Sequence, residues 1–234
     1  PRTPWSGLGW TGQPVRRGDF LYFGSSDSYV YCLRVDTGEV QWYYPTHHCV
    51  KGSISLVGDF LYHGGRDNKL HCYDLQGRKV WETRTGNDMD SNPVVVGDRL
   101  FIGGEDHSLY CFYPQGTTPA PTDGTLRWRM GPTDGSVESS PCVVGDRVYA
   151  GSGRGTVYCC DVATGQRIWT FDTLGDTDST PVHADGRLYL SCATGDAGER
   201  GHLWCVDAQT GQQIWHVPFN RGFWATAALN PRLG

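Results

Sequence analysis

Apolar and polar residues alternate in short runs along the chain, and glycine turns set the runs apart. A run such as Arg147-Val148-Tyr149-Ala150 has the period of a half-buried strand, and the Gly-Asp before it is a hairpin turn. The same piece recurs as Gly18-Asp19-Phe20-Leu21-Tyr22-Phe23-Gly24, Gly58-Asp59-Phe60-Leu61-Tyr62-His63-Gly64, Gly97-Asp98-Arg99-Leu100-Phe101-Ile102-Gly103 and Gly145-Asp146-Arg147-Val148-Tyr149-Ala150-Gly151. A fifth copy, Asp185-Gly186-Arg187-Leu188-Tyr189-Leu190, reverses the turn dipeptide. Each copy is followed by an aromatic residue or histidine, a cysteine and a further short strand: Tyr31-Cys32, His71-Cys72, Tyr110-Cys111, Tyr158-Cys159 and Trp204-Cys205.

Each unit then ends on a turn glycine with a tryptophan four residues later: Gly38 and Trp42, Gly77 and Trp81, Gly124 and Trp128, Gly165 and Trp169, Gly211 and Trp215. The tryptophans recur roughly every 40 to 47 positions, the length of four short antiparallel strands with their turns. The pattern therefore predicts an all-β fold, a β-propeller of four-stranded antiparallel blades over residues 9–44, 48–83, 88–130, 136–171 and 176–217. A lone inner strand of a sixth blade is expected at 223–229, so residues 1–234 read as one propeller domain, about five blades of a larger propeller, with a five-bladed ring closed by the extra strand as the alternative. Trp42, Trp81, Trp128, Trp169 and Trp215 are expected to fill the wedges between blades, because a large ring repeated at one place in every sheet suits packing.

The motifs Asp161-Val162-Ala163-Thr164-Gly165-Gln166-Arg167-Ile168-Trp169 and Asp207-Ala208-Gln209-Thr210-Gly211-Gln212-Gln213-Ile214-Trp215 resemble the tryptophan-docking motif of quinoprotein propellers, the pyrroloquinoline-quinone-like repeat family. The first blade keeps it in Asp36-Thr37-Gly38, the second shortens it to Asp74-Leu75-Gln76-Gly77, and the third interrupts it with Pro114 to Asp123. No Trp-Asp ends a blade, which separates the chain from WD-type propellers. The resemblance implies a blade that opens on Ser-x-Pro, here Ser91-Asn92-Pro93, Ser139-Ser140-Pro141 and Ser179-Thr180-Pro181, degraded to Gly12-Gln13-Pro14 in the first copy.

Composition narrows the function. A net charge of -5 with no basic cluster argues against nucleic acid as a partner, and no apolar stretch reaches the roughly 18 to 20 residues that insert into a bilayer. Five of the nine cysteines, Cys32, Cys72, Cys111, Cys159 and Cys205, occupy equivalent repeat positions one blade apart, too far for disulfides, and so read as small buried side chains. A reducing, cytoplasmic compartment is expected, or the periplasm where a leader has been removed. The resemblance also brings to mind the adjacent-cysteine disulfide of quinoprotein alcohol dehydrogenases. Cys159-Cys160 is not assigned that role, because Cys159 is the regular cysteine of its repeat.

Register around the expected channel mouth aligns Thr11, Lys51, Asp90, Glu138, Asp178 and Trp224. Of these, Lys51, Asp90, Glu138, Asp178 and Trp224 are the candidate partner-binding residues, with Asn87-Asp88, Asp134, Asp172, Asp176 and His47-His48 on neighbouring loops. The insertions Pro114 to Asp123 and Ala193 to Gly201 are further candidate contacts. No catalytic residue, cofactor site or metal ligand set is assigned. The calcium ligands, catalytic Asp and aromatic platform of quinone-dependent dehydrogenases do not map onto this chain one by one. The reading is a non-catalytic scaffold for a protein or peptide, whose open blade edges pair with the rest of a parent chain or another copy. A quinone-dependent alcohol dehydrogenase and a ligand or cation sensor coupled to a separate enzyme domain are the alternatives.

Overall fold

The computed structural model describes residues 12–115, 124–194, 200–222 and 226. Among them there is no helix, and five four-stranded antiparallel sheets follow one another in chain order. The first comprises β1 (Val15–Arg17), β2 (Phe20–Gly24), β3 (Tyr29–Arg34) and β4 (Val40–Pro45), and the second β5 (Ser55–Val57), β6 (Phe60–Gly65), β7 (Lys69–Asp74) and β8 (Lys79–Arg84). The third comprises β9 (Val94–Val96), β10 (Arg99–Gly104), β11 (Ser108–Phe112) and β12 (Leu126–Met130). The fourth holds β13 (Cys142–Val144), β14 (Arg147–Gly151), β15 (Thr156–Asp161) and β16 (Arg167–Asp172), the fifth β17 (Val182–Ala184), β18 (Arg187–Thr194), β19 (Arg200–Asp207) and β20 (Gln213–Phe219). Strands pair strictly with their chain neighbours, the up-and-down order of propeller blades. The expected sixth inner strand lies outside the described residues apart from Thr226.

The chain divides into two compact units, Pro1–Asp106 with Tyr110–Arg127 and His107–Leu109 with Trp128–Gly234; the division runs through the third sheet. In the first unit one core joins the first two sheets through Tyr22, Val30, Cys32, Val50, Ile54, Leu61 and Tyr73, and a second joins the next pair through Tyr62, Leu70, Met89, Leu100 and Ile102. In the second unit Tyr149, Val157 and Cys159 pack on Leu188, Leu190, Trp204 and Val206. The two middle strands of each sheet supply most of this surface, so the short first strand and the last strand are left half-exposed.

The repeated cysteine and tryptophan stand opposite each other across the last two strands. Cys32 pairs with Trp42, Cys72 with Trp81, Cys159 with Trp169 and Cys205 with Trp215, and a register shift follows the cysteine in each case. A bulge sharpens the local twist and re-aims the side chain beside it. All five repeat cysteines are buried.

The tryptophan rings lie against the turn glycine of the following sheet. A Cβ added at Gly77 or Gly124 would come within 2.7 Å of Trp42 or Trp81, and one at Gly165 or Gly211 within 2.6 or 2.7 Å of Trp128 or Trp169. These glycines hold φ between +72° and +78°, where side chains are strained in any case. Trp42 Nε1 donates to the Leu75 carbonyl (3.0 Å), Trp128 Nε1 to Val162 (3.0 Å) and Trp169 Nε1 to Ala208 (3.3 Å). Trp81 Nε1 is buried without a partner among the described residues. Most of the stretch where an equivalent acceptor would fall, residues 116–123, lies outside them.

Candidate functional site

In the third, fourth and fifth sheets the loops that lead into the first strand are built by the Ser-x-Pro segments. Ser91 Oγ accepts the Gly103 N–H (2.9 Å), Ser139 Oγ accepts the Gly151 N–H (2.7 Å), and Ser179 Oγ donates to the Ser191 carbonyl (2.8 Å). All three serines are buried, so the motif ties the loop to the end of the second strand of its own sheet. The next residue links neighbouring sheets: the Gln13 N–H donates to Ser53 Oγ (2.8 Å), that of Ser53 to Asn92 Oδ1, and that of Thr180 to Thr226 Oγ1 (3.2 Å). Thr226 therefore occupies the repeat position of Ser53 and Asn92.

These loops carry Lys51, Asp90, Glu138 and Asp178, each four residues ahead of a first strand, at the start of β5, β9, β13 and β17. Thr11 and Trp224 lie outside the described residues. In the first unit Asp90 is not a free carboxylate facing a channel. Its side chain is 4% exposed and is held by Lys51 Nζ at 2.8 Å and by Arg66, whose Nη2 lies 2.6 Å and Nε 3.1 Å away. Arg66 also reaches Glu105 at 3.4 Å and Asp88 at 3.9 Å. Burial pushes the Asp90 carboxyl up, but the hydrogen bonds from Arg66 and Lys51 outweigh it and hold the group below the usual carboxylate range. Two cations thus offset the charge of Asp90, and of the candidates in this unit Lys51 remains the more exposed one.

In the second unit the corresponding loops remain acidic. Glu138 accepts from Ser136 Oγ (3.2 Å), and Asp176 shares a hydrogen bond with Asp178. Burial raises the Asp176 carboxyl, the Glu138 charge raises it further, and the bond to Asp178 opposes both. Asp134 is absorbed by local structure, accepting from Ser152 Oγ (2.5 Å), Thr156 Oγ1 (2.6 Å) and Tyr158 Oη (3.1 Å). Asp172 caps its own turn through the Leu174 N–H (2.8 Å), and His47 and His48 are exposed.

Arg66 and Glu105 are members of this site that the motif reading passes over. They occupy one repeat position, the residue after Gly64-Gly65 and after Gly103-Gly104, and carry opposite charges in adjacent repeats. That alternation is the signal by which the ion network could have been found. The Asp four residues before the strand aromatic was equally legible: Tyr31 Oη donates to Asp27 (2.6 Å), Tyr110 Oη bonds Asp106, and His71 Nε2 lies 3.1 Å from Asp67.

The repeat type raises the question of a quinone cofactor, and the residues that would meet it do not fit. Cys159 and Cys160 form no disulfide and are fully buried in β15, where burial pushes their thiols up to about 11 and about 12. Thiols sealed between sheets cannot back a cofactor at a loop surface.

The family model described as outer membrane protein assembly factor BamB matches residues 47–115 and 117–223. No curated protein matches the chain in sequence. Among solved structures, the computationally designed Ika8 protein is similar with a TM-score of 0.78 at 13% identity over 96% of this chain, which spans 66% of that protein, just under two thirds. BamB from Moraxella catarrhalis is similar with a TM-score of 0.66 at 16% identity over 91% of this chain and 77% of that one. At these identities the likeness shows the propeller fold, while the family model covers most of the sequence. The chain belongs to the pyroloquinoline-quinone-like repeat propellers of the BamB assembly-factor family.

Proposed function

We propose that this chain is a non-catalytic propeller scaffold that holds a protein or peptide partner through the loops preceding its first strands. One observation carries the reading. At a single position of a repeat whose core residues recur, successive sheets present Lys51, Asp90, Glu138 and Asp178. The scaffold is repeated and the charge displayed on it is not, which is how a rigid frame presents a specific surface. The description of the family as an assembly factor supports a protein partner. Trp42, Trp81, Trp128 and Trp169, each on the next sheet's glycine, serve in this reading to lock the frame so that the loops keep fixed positions.

Because Asp90 is bound into the ion network, the acidic pair of the second unit is the better test. In crosslinking capture from lysate, Glu138→Lys combined with Asp178→Lys is expected to remove the partner recovered by the wild-type chain while the melting temperature stays within a few degrees. Equal recovery by both would overturn the reading. Titration with pyrroloquinoline quinone and calcium is expected to give neither saturable absorbance changes nor dye-linked alcohol oxidation, and turnover would replace the scaffold with an enzyme.

A further inference from the structure

In three sheets the turn that carries the docking glycine has the same length. The N–H of Gly38 bonds to the Arg34 carbonyl, that of Gly165 to Asp161 and that of Gly211 to Asp207, each four residues back. In the second sheet Gly77 bonds to Asp74, three residues back, because the turn Asp74-Leu75-Gln76-Gly77 is one residue short. The contact of Gly77 with Trp42 survives, and so does the bond from Trp42 Nε1 to Leu75. Beside the shorter turn lies a pocket of about 490 Å³ between the first two sheets, inside the range of small-ligand sites.

Phe20, Tyr22 and Trp42 form its aromatic walls, Leu75 adds an aliphatic edge, and Gln41 and Gln76 supply amides. Among the described residues no charged side chain lines it. A pocket between the fourth and fifth sheets, about 360 Å³ and nearer their first strands, is lined by Asp146, Arg147 and Asp207 as well as by Tyr149. An uncharged lining selects a neutral ligand, since a buried unpaired charge is costly to desolvate.

The equivalent crevices show what such a site accepts. Tyr149, at the repeat position of Tyr22, donates to the Ala208 carbonyl of the next turn (3.0 Å). Tyr62, also at that position, accepts the Gln115 N–H (3.0 Å), beside the buried Pro114. The ring pair is the same at both ends, Tyr62–Trp81 at 5.9 Å and 46° and Tyr22–Trp42 at 5.9 Å and 44°. Tyr62 and Tyr149 thus each meet a peptide group of the following turn. Tyr22 has the Cys32 thiol as its hydrogen-bond neighbour and no backbone partner among the described residues.

We propose that the pocket between the first and second sheets binds a short, uncharged, proline-containing segment of a partner protein in the place that the chain's own turn takes elsewhere. Proline packs on aromatic walls with little entropy to lose, and the neighbouring peptide group and the Gln41 and Gln76 amides complete the hydrogen bonding. The site is distinct from the loops that precede the first strands, and the proposal stands whether or not those loops hold a partner.

The test is a titration with the peptide acetyl-Phe-Tyr-Pro-Gln-Gly-amide, which copies residues 112–116, followed by the indole N–H resonances. Saturable movement of the Trp42 signal is expected, with that of Trp169 unmoved. Inserting a threonine between Gln76 and Gly77 restores the turn pattern of Asp207 to Gly211 and is expected to weaken binding at least tenfold. Tyr22→Phe is expected to weaken it several-fold and Tyr149→Phe not at all, which keeps the test open should the insertion fail to fold. Glu138→Lys with Asp178→Lys should leave the titration unchanged, so a failure of the loop surface is separable from a failure here. A static Trp42 signal, equal binding by the insertion variant, or a response to maltotriose but not to the peptide would each overturn the proposal.

Discussion

The second and fifth sheets are built on one framework and differ in what fills it. In the second, His63, His71 and Tyr73 lie parallel, with His63 4.7 Å from His71 and 5.5 Å from Tyr73, and Lys69 bridges to Glu82 at 2.6 Å. In the fifth, the same positions hold Leu190, Trp204 and Val206, and the Lys69–Glu82 pair is replaced by His202 and His216, whose Nδ1 and Nε2 lie 2.8 Å apart. His216 stacks on Trp204 with centroids 3.7 Å apart. The comparison teaches that the repeat conserves the backbone, the Cys–Trp pair and the glycine contact, and leaves the facing positions free to be polar or apolar. A polar filling then makes one sheet depend on pH and salt in ways another does not.

The largest effect expected from probing this comparison is on the shared framework. Trp169→Ala should cost about 3 to 5 kcal/mol in denaturant melts, the range of large aromatic truncations, and a loss below about 1 kcal/mol would remove its packing role. The glycine beneath it gives the next test. A Cβ at Gly211 would lie 2.7 Å from Trp169, so Gly211→Ala carries both the strain of positive φ and an overlap with the ring, about 3 kcal/mol together. Gly38, at the same repeat position and φ +70°, has no described atom within 4 Å, and Gly38→Ala should cost only the strain, about 1 kcal/mol. Equal losses at the two glycines would show that the contact adds nothing.

The buried histidine separates the two sheets by pH. Burial, and secondarily His71, push His63 down to about 3, and its Nε2 has no partner among the described residues. Its folded-state value lies below the unfolded one near 6.5, so the unfolded chain binds the extra proton. Stability is then full above about pH 6.5 and falls as pH drops toward 3, by at most about 1.4 kcal/mol per unit. His63→Leu, which imports the residue of the fifth sheet, should flatten that slope; an unchanged slope between pH 7 and 5 would place the sensitivity elsewhere.

The smallest effects belong to the outer pairs. Hydrogen bonds from Lys69 and Lys79, against opposing burial, hold Glu82 down to about 2. Its contribution is present above the unfolded value near 4.5 and is lost as pH falls toward 2, and salt should screen it. At this half-exposed site Lys69→Met should cost less than about 1 kcal/mol. Burial, then the charges of His216 and Arg200, lower His202, and acid strong enough to charge that ring weakens its 2.8 Å contact with His216. Relative to the intrinsic rate at each pH, hydrogen exchange in β20 should accelerate by a few-fold in acid and stay constant in the outer strand of the second sheet.

Much of this was legible in the chain. Gly18-Asp19 and its copies mark hairpins because glycine takes positive φ at little cost, and Trp42 to Trp215 mark the last strand of each sheet. In the fifth copy Asp185 itself adopts φ +49° ahead of Gly186, a tolerance that the dipeptide Asp-Gly announces. Even the missing residue in Asp74-Leu75-Gln76-Gly77 is visible on alignment of the repeats. The candidate loops were legible only as positions: Lys51, Asp90, Glu138 and Asp178 follow from register, but their charge states do not.

The sequence by itself determined the repeat, its turns and the propeller class, because period, turn chemistry and a recurrent ring are local properties that each unit states anew. Only the tertiary structure decided that Asp90 is closed off by Lys51 and Arg66, that His63 is sealed and neutral, and that a pocket lies between Trp42 and the shortened turn. Those outcomes depend on distances between residues about 40 positions apart, and on how far water reaches them, neither of which composition or spacing encodes.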